Sequence, residues 1–402
     1  MLEVTTERTQ VPENVRAIVS HRWVRLLRVA LALFMAAVLF AALEGATRIH
    51  QGYKMGGLPT YKPRHLIDFY RFYRVNPEYR SRTVRVNAAG FRNDQEVTRE
   101  KPKNVIRIVT TGGSTVWGED APDSPVPIEI DNKETIAAHL ERILNMRASA
   151  RGATCRVEVL NAGVVGYRLF QNLAYFNQYV GGFHPDLVIA MDGHNDLDAL
   201  QMGIGFYHHK NEPLVERAVN RPTFLDLLRW DIKYAEDRSV FIRKAYDRLG
   251  QAVNRWGLGR ERGKVFAREV TELELEGFLR EYEATVRRFD ASVRIAGARA
   301  LFTVQPELLG ESYKPLTHEE MRLQEKWAFY SLLHNAARDR LIAMMQEVKH
   351  RYGIWFEDVS DVFAAEAAQV YIDYAHFSSR GAEVMAQHLA DLTERVVFRD
   401  CR

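Results

Sequence analysis

Three hydrophobic patterns succeed one another along the chain. From Val29 to Leu43 the sequence VALALFMAAVLFAAL carries no polar position. Leu26 and Leu27 extend this run if Arg28 snorkels toward headgroups, and Trp23 stands where an interfacial aromatic belongs. A bilayer span needs roughly 17–25 such residues, and a core helix would show a polar face, so residues 29–43 are read as a transmembrane helix. Residues 51–103 are rich in Tyr, Arg and Pro with little periodicity, and the stretch 44–103 reads as an irregular lead-in.

Beyond it, short apolar runs alternate with amphipathic ones. Val105–Thr110, Val157–Leu160, Leu187–Met191, Ala300–Val304 and Ile354–Phe356 have the length and β-branching of strands. Leu187–Met191 is apolar throughout, as in a sheet covered on both faces. Helical spacing appears near 134–146, through Leu275, Phe278, Leu279, Tyr282, Val286, Phe289 and Val293, over about 318–350, and over about 382–397. Strands alternating with helices predict an α/β fold, a three-layer α/β/α domain over 104–402 with a five-stranded parallel sheet. Residues 202–264 exceed what such a fold requires. Their aromatics, Phe206, Tyr207, Trp230, Tyr234, Tyr246 and Trp256, fit a helical insert with its own core, or a lid or glycan-binding wall.

Charge orients the span. Arg16, Arg22, Arg25 and Arg28 precede it, whereas Arg48 and Lys54 follow. The positive-inside rule then keeps residues 1–28 as a cytoplasmic tail and exports the rest, to the periplasm if the source is Gram-negative. A cleaved signal peptide fits less well, because Leu43-Glu44-Gly45-Ala46 makes a poor cleavage site after a long n-region. The 402-residue chain is 47% hydrophobic, with a net charge of +3, which gives no reason to expect a nucleic-acid partner. The two cysteines, Cys155 and Cys401, read as a small buried thiol and a tail thiol rather than a disulfide. No His/Cys cluster shows zinc spacing, and Asp192, Asp196 and Asp198 lack an accompanying His or Glu set. No metal or other cofactor is expected.

Chemistry concentrates in four segments that follow strand-like runs: Gly112-Gly113-Ser114-Thr115, Asn161-Ala162-Gly163, Gly193-His194-Asn195-Asp196 and Asp373-Tyr374-Ala375-His376. In parallel sheets ligands bind at carboxyl ends of strands. Ser114, behind two glycines, offers a nucleophile and an oxyanion N–H, although Gly-Ser-Thr also suits a helix N-cap. The Gly163 N–H and the Asn195 amide are further oxyanion donors. Alone, Gly163 would be a turn glycine and Asn195 a helix cap. Asp373 and His376, three apart, share a face if the segment forms one helical turn, and the carboxylate can then fix the imidazole tautomer.

Together these segments resemble the SGNH hydrolase superfamily, the GDSL lipases and esterases. Ser114, Gly163, Asn195 in G-x-N-D and His376 in D-x-x-H match its four ordered blocks, with one departure: Gly113 stands where the namesake motif has Asp. The resemblance implies the flavodoxin-like SGNH fold. It also implies a catalytic triad of Ser114, His376 and Asp373, with Ser114, Gly163 and Asn195 forming the oxyanion hole. The single span, Val86-Asn87-Ala88-Ala89-Gly90-Phe91-Arg92 and Gln305-Pro306 resemble a membrane-anchored bacterial branch associated with acyl groups on extracytoplasmic glycans. The expected activity is therefore hydrolysis of a small acyl ester, acetyl above all, on a carbohydrate. An O-acyltransferase using the same residues and a non-catalytic glycan-binding scaffold are the alternatives.

Overall fold

The computed structural model describes residues 13–54, 64–68, 70–81, 83–119, 130–208, 268–310 and 313–399, together with positions 239, 241, 242, 244, 245 and 248. The chain divides into two units, one of Met1–Tyr61 with Trp230–Leu249 and one holding the remainder. In the first, helix α1 (Glu13–Lys54) is longer than the apolar run that predicts it. Its segment Trp23–His50 is long and apolar enough to cross a membrane. Near its end, Glu44 accepts hydrogen bonds from Ser239 Oγ (2.7 Å) and Phe241 N (3.0 Å).

The second unit is an α/β domain. Its parallel sheet consists of β3 (Val105–Gly112), β4 (Arg156–Asn161), β5 (Leu187–Asp192) and β6 (Arg299–Val304), in the order β4-β3-β5-β6. The period-2 alternation of side chains divides the core in two. Ile108, Val157, Val159, Ile189 and Leu301 pack under α3 (Ile136–Ala150) and α9 (Ser379–Val397). Val109, Leu160, Val188, Ala300 and Phe302 face α4 (Leu169–Gln178), α6 (Glu272–Ile295) and α8 (Ala328–Tyr352). Every residue of β5 is buried: the apolar run Leu187–Met191 requires it, and Asp192 at the strand's end is buried with them.

The expected fifth strand contributes a single parallel bridge, Phe302 to Phe356, with Phe302 N donating to Trp355 O (2.9 Å) and Glu357 N to Phe302 O (3.1 Å). Three apolar residues are enough to extend the sheet edge, but too few to make a ladder. With that edge, the five runs stand in the spatial order 2-1-3-4-5 of a flavodoxin-like sheet, whose switch point lies between the first and third.

Other expectations change. The lead-in is not wholly irregular: α1 continues to Lys54, and β1 (His65–Asp68) pairs antiparallel with β2 (Phe72–Val75). The helix expected over 318–350 is two helices, α7 (His318–Lys326) and α8, which meet at Trp327. Cys155 is disulfide-bonded; the chain's other cysteine, Cys401, lies outside the described residues. Most of the expected 202–264 insert, including Trp230, Tyr234, Tyr246 and Trp256, also lies outside them. Phe206 and Tyr207 pack on α6, with the Tyr207 hydroxyl 3.0 Å from Thr285 Oγ1.

Candidate active site

Ser114 begins the one-turn helix α2 (Ser114–Trp117) directly after β3. Asn195 lies in the first turn of α5 (His194–Gln201), directly after β5. The two therefore flank the switch point of the sheet. As the first residue of its helix, Ser114 has an N–H with no intrahelical acceptor. Gly113 leaves the space that the Asn195 amide occupies, since a Cβ there would collide with Asn195 Nδ2 and displace that side chain. The departure from Gly-Asp-Ser is thus tied to where Asn195 lies. Asn195 Nδ2 donates one hydrogen to Tyr167 O at 2.8 Å, which leaves its second.

Asp373, His376 and Ser114 form one hydrogen-bonded chain. Asp373 Oδ2 lies 2.7 Å from His376 Nδ1, and His376 Nε2 lies 2.7 Å from Ser114 Oγ. The Asp373–His376 segment is not the helical turn expected from its spacing. Asp373 Oδ1 instead accepts the N–H groups of Ala375 (2.8 Å) and His376 (2.7 Å), an Asx-type turn that competes with helix. Burial works against the Asp373 carboxylate. The hydrogen bond and charge of His376 and the two loop N–H groups outweigh it, holding the pKa below the ordinary carboxylate value.

Gly163 follows β4 and lies against the backbone of Val116 and Trp117, where any Cβ would collide. Its N–H donates to Asn161 Oδ1 (3.0 Å), so in this geometry it is already engaged.

Three residues not assigned to the site by sequence brace it. Arg92, the last residue of Val86–Arg92, is buried and donates to Trp117 O (2.9 Å) and Gly118 O, clamping the end of α2. Thr115 Oγ1 (3.1 Å) and Gln305 Nε2 (2.9 Å) both donate to Ala375 O, tying the His376 loop to α2 and to the end of β6. Gln305-Pro306, Val86–Arg92 and Gly112–Thr115 stood out as segments in the sequence; the carbonyl oxygens that Gln305, Arg92 and Thr115 hold did not.

Of the aspartates after β5, Asp196 accepts the N–H groups of Gly193 and Leu169, which makes it a capping group. Asp198 faces two buried histidines, His194 and His334. Burial alone would lower the His194 pKa, but Asp198, Glu307 and Asp373 raise it to about 10.

Neither a protein-family model nor a curated protein matches the chain. Several solved structures are similar to it. The carbohydrate acetylesterase Est24 from Sinorhizobium meliloti has a TM-score of 0.41 and 10% identity, over 72% of this chain and 99% of that one. An aryl esterase from M. smegmatis has a TM-score of 0.40 and 12% identity, over 72% and 98%. A mutant of Axe2, an acetyl-xylooligosaccharide esterase from Geobacillus, has a TM-score of 0.38 and 12% identity, over 73% and 95%. At such scores the likeness carries no weight for activity.

Proposed function

We propose that the chain is a serine esterase of the SGNH type that removes a small acyl group, most simply acetyl, from a carbohydrate. The observation that supports this most directly is the continuous Asp373–His376–Ser114 hydrogen-bond chain at the carboxyl ends of the strands. In the proposed reaction His376 Nε2 takes the Ser114 proton while Oγ bonds to the ester carbon. The Ser114 N–H and the second Asn195 amide hydrogen stabilise the oxyanion. Gly163 N–H joins them only by leaving Asn161 Oδ1. The protonated His376 then gives its proton to the departing sugar oxygen, and water cleaves the acyl-serine by the reverse path. Asp373 holds the imidazole tautomer throughout. No step needs an ion.

A small acyl group is supported by access: Ser114 is 8% exposed. Trp327, 4.6 Å from the Tyr374 ring within the His376 loop, offers an aromatic wall of the kind on which sugars pack. The test is hydrolysis of p-nitrophenyl esters by the full-length protein, followed by acetylated oligosaccharides. Acetate should be the preferred ester. A preference for chains of eight carbons or more would replace the carbohydrate reading with a lipase. Acetyl transfer to an added oligosaccharide that outpaced release to water would make the protein an O-acyltransferase instead.

We also infer a single-pass membrane protein with residues 1–28 cytoplasmic and the esterase domain outside. The apolar Trp23–His50 helix, its preceding arginines and the Cys155 disulfide support this, since disulfides persist in oxidising compartments. A C-terminal alkaline phosphatase fusion should be active in cells and a fluorescent-protein fusion dark, with Cys155 alkylated only after reduction. The opposite fusion pattern, or a freely reactive Cys155, would sink the topology.

A further inference from the structure

Beneath the His376 loop three buried side chains from separate segments meet. His194 begins α5, Glu307 follows β6, and His334 lies in α8. Their donor atoms fall within 4.8 Å of one another. His194 Nδ1 is 3.0 Å from Glu307 Oε1, and His334 Nε2 is 2.7 Å from Glu307 Oε2. Asp198 stands on the opposite side, its oxygens 3.6 Å from His194 Nε2 and 3.9 Å from His334 Nδ1. Each imidazole thus turns one nitrogen to Glu307 and the other to Asp198.

We propose that His194 Nδ1, His334 Nε2 and Glu307 bind one divalent transition-metal cation of the Zn2+ class, with Asp198 orienting both imidazoles from behind. The donor set fits: two imidazoles and a carboxylate suit zinc and its neighbours rather than Mg2+ or Ca2+. Donors in a tetrahedral zinc shell stand ~3.3 Å apart, given bonds of about 2.0–2.1 Å; the two Glu307 contacts at 3.0 and 2.7 Å would lengthen slightly around an ion, and the widest donor separation, within 4.8 Å, would close by up to about 1.5 Å. Asp198 stands on the far side of both imidazoles, at 3.6 and 3.9 Å, and on closing to hydrogen-bond distance it would fix the tautomer of a metal-bound histidine by keeping the proton on the far nitrogen.

The angles point the same way. His194 Nδ1 and both Glu307 oxygens are buried, yet none makes a well-formed hydrogen bond despite the short separations. Buried polar pairs ordinarily align; lone pairs aimed at a common point do not. Charge is also balanced, because one dication offsets Glu307 and Asp198 while both imidazoles stay neutral. The rival is a metal-free ring in which two protons supply that charge.

The cation would join the ends of β5 and β6 to α8. The loop lies against that junction: the Tyr374 ring is 5.6 Å from the His194 ring, and Leu308 N donates to Tyr374 O at 3.1 Å. The role is therefore positional, and it is independent of the ester chemistry.

Tag-free full-length protein in detergent, loaded with ZnCl2 and desalted, should retain about one zinc per chain by elemental analysis. Co2+ in its place should show the visible d–d bands of a low-symmetry, four-coordinate N/O site. Glu307→Gln and His334→Ala should each bring retained metal to background. Asp198→Asn should keep the stoichiometry but weaken affinity about 10–100-fold against a competing chelator dye. The wild-type stoichiometry and the Co2+ spectrum need no variant, so misfolded mutants leave the test intact. Retention below about 0.1 equivalent, or retention unchanged in both ligand variants, would overturn the site and leave the proton-balanced ring.

Discussion

Ser114→Ala is expected to lower ester turnover by roughly 10⁴–10⁶-fold and to abolish covalent labelling by a fluorophosphonate probe. The loss follows from removing the atom that His376 Nε2 faces at 2.7 Å, with no other hydroxyl in that contact. Stability should change little, because the deleted oxygen leaves a half-buried imidazole still held by Asp373. Asn195→Ala is the contrasting variant. It should retain part of the labelling while losing roughly 10²–10³ in kcat, the usual effect of one oxyanion donor. Labelling that persisted in Ser114→Ala would remove Ser114 from the chemistry. Wild-type turnover in Asn195→Ala would reduce that residue to a structural group bonded to Tyr167 O.

Lys314→Met is expected to destabilise the domain by about 3–5 kcal/mol, the effect of stranding one member of a buried ion pair. Lys314 Nζ lies 2.6 Å from Glu320 Oε2, and both side chains are wholly buried. Glu320 is also a backbone hub: Oε2 accepts Thr317 N (2.9 Å), and Oε1 accepts Val370 N (2.9 Å) and Tyr371 N (3.2 Å). Those last two residues lead directly into Asp373, so activity should fall along with stability. Denaturant midpoints measured across pH test both parts.

Burial works against the Glu320 carboxylate, but Lys314 and the N–H groups of Thr317, Val370 and Tyr371 hold its pKa below the ordinary value. A depressed folded-state pKa means that its stabilisation is complete above the unfolded value of about 4.3 and is lost as pH falls through the folded one. The wild type should therefore weaken in that acidic window, and Lys314→Met should weaken less. Adding Glu320→Gln to Lys314→Met should recover part of the loss. An unchanged midpoint in Lys314→Met would show that the pair adds nothing net.

Much of this was legible in the sequence, because it depends on neighbours within one strand or one helical turn. The unbroken apolar run Leu187–Met191 determined a strand buried on both faces. The repeat from Leu275 to Val293 determined the buried face of α6. The four short segments identified the candidate site residues: three of them stand where a strand ends, whereas Asp373–His376 lies in a loop closed by the single Tyr371–Phe377 bridge. Other features follow only from tertiary contact. Asp373 and His376 meet through an Asx turn, since the carboxylate captures N–H groups that a helix would have used.

The Ile354–Phe356 run is reduced to one bridge by what lies beside it at the sheet edge. Arg92, Thr115 and Gln305 act on carbonyl oxygens of α2 and of the His376 loop, and main-chain acceptors leave no mark in a sequence. His194, Glu307 and His334 have no motif spacing at all. His194 and Glu307 converge because β5 and β6 are parallel neighbours whose carboxyl ends lie side by side, and α8 brings His334 to them. Local periodicity reports which side of an element is buried; strand order and the packing of helices and loops on the sheet decide which distant side chains that burial brings together.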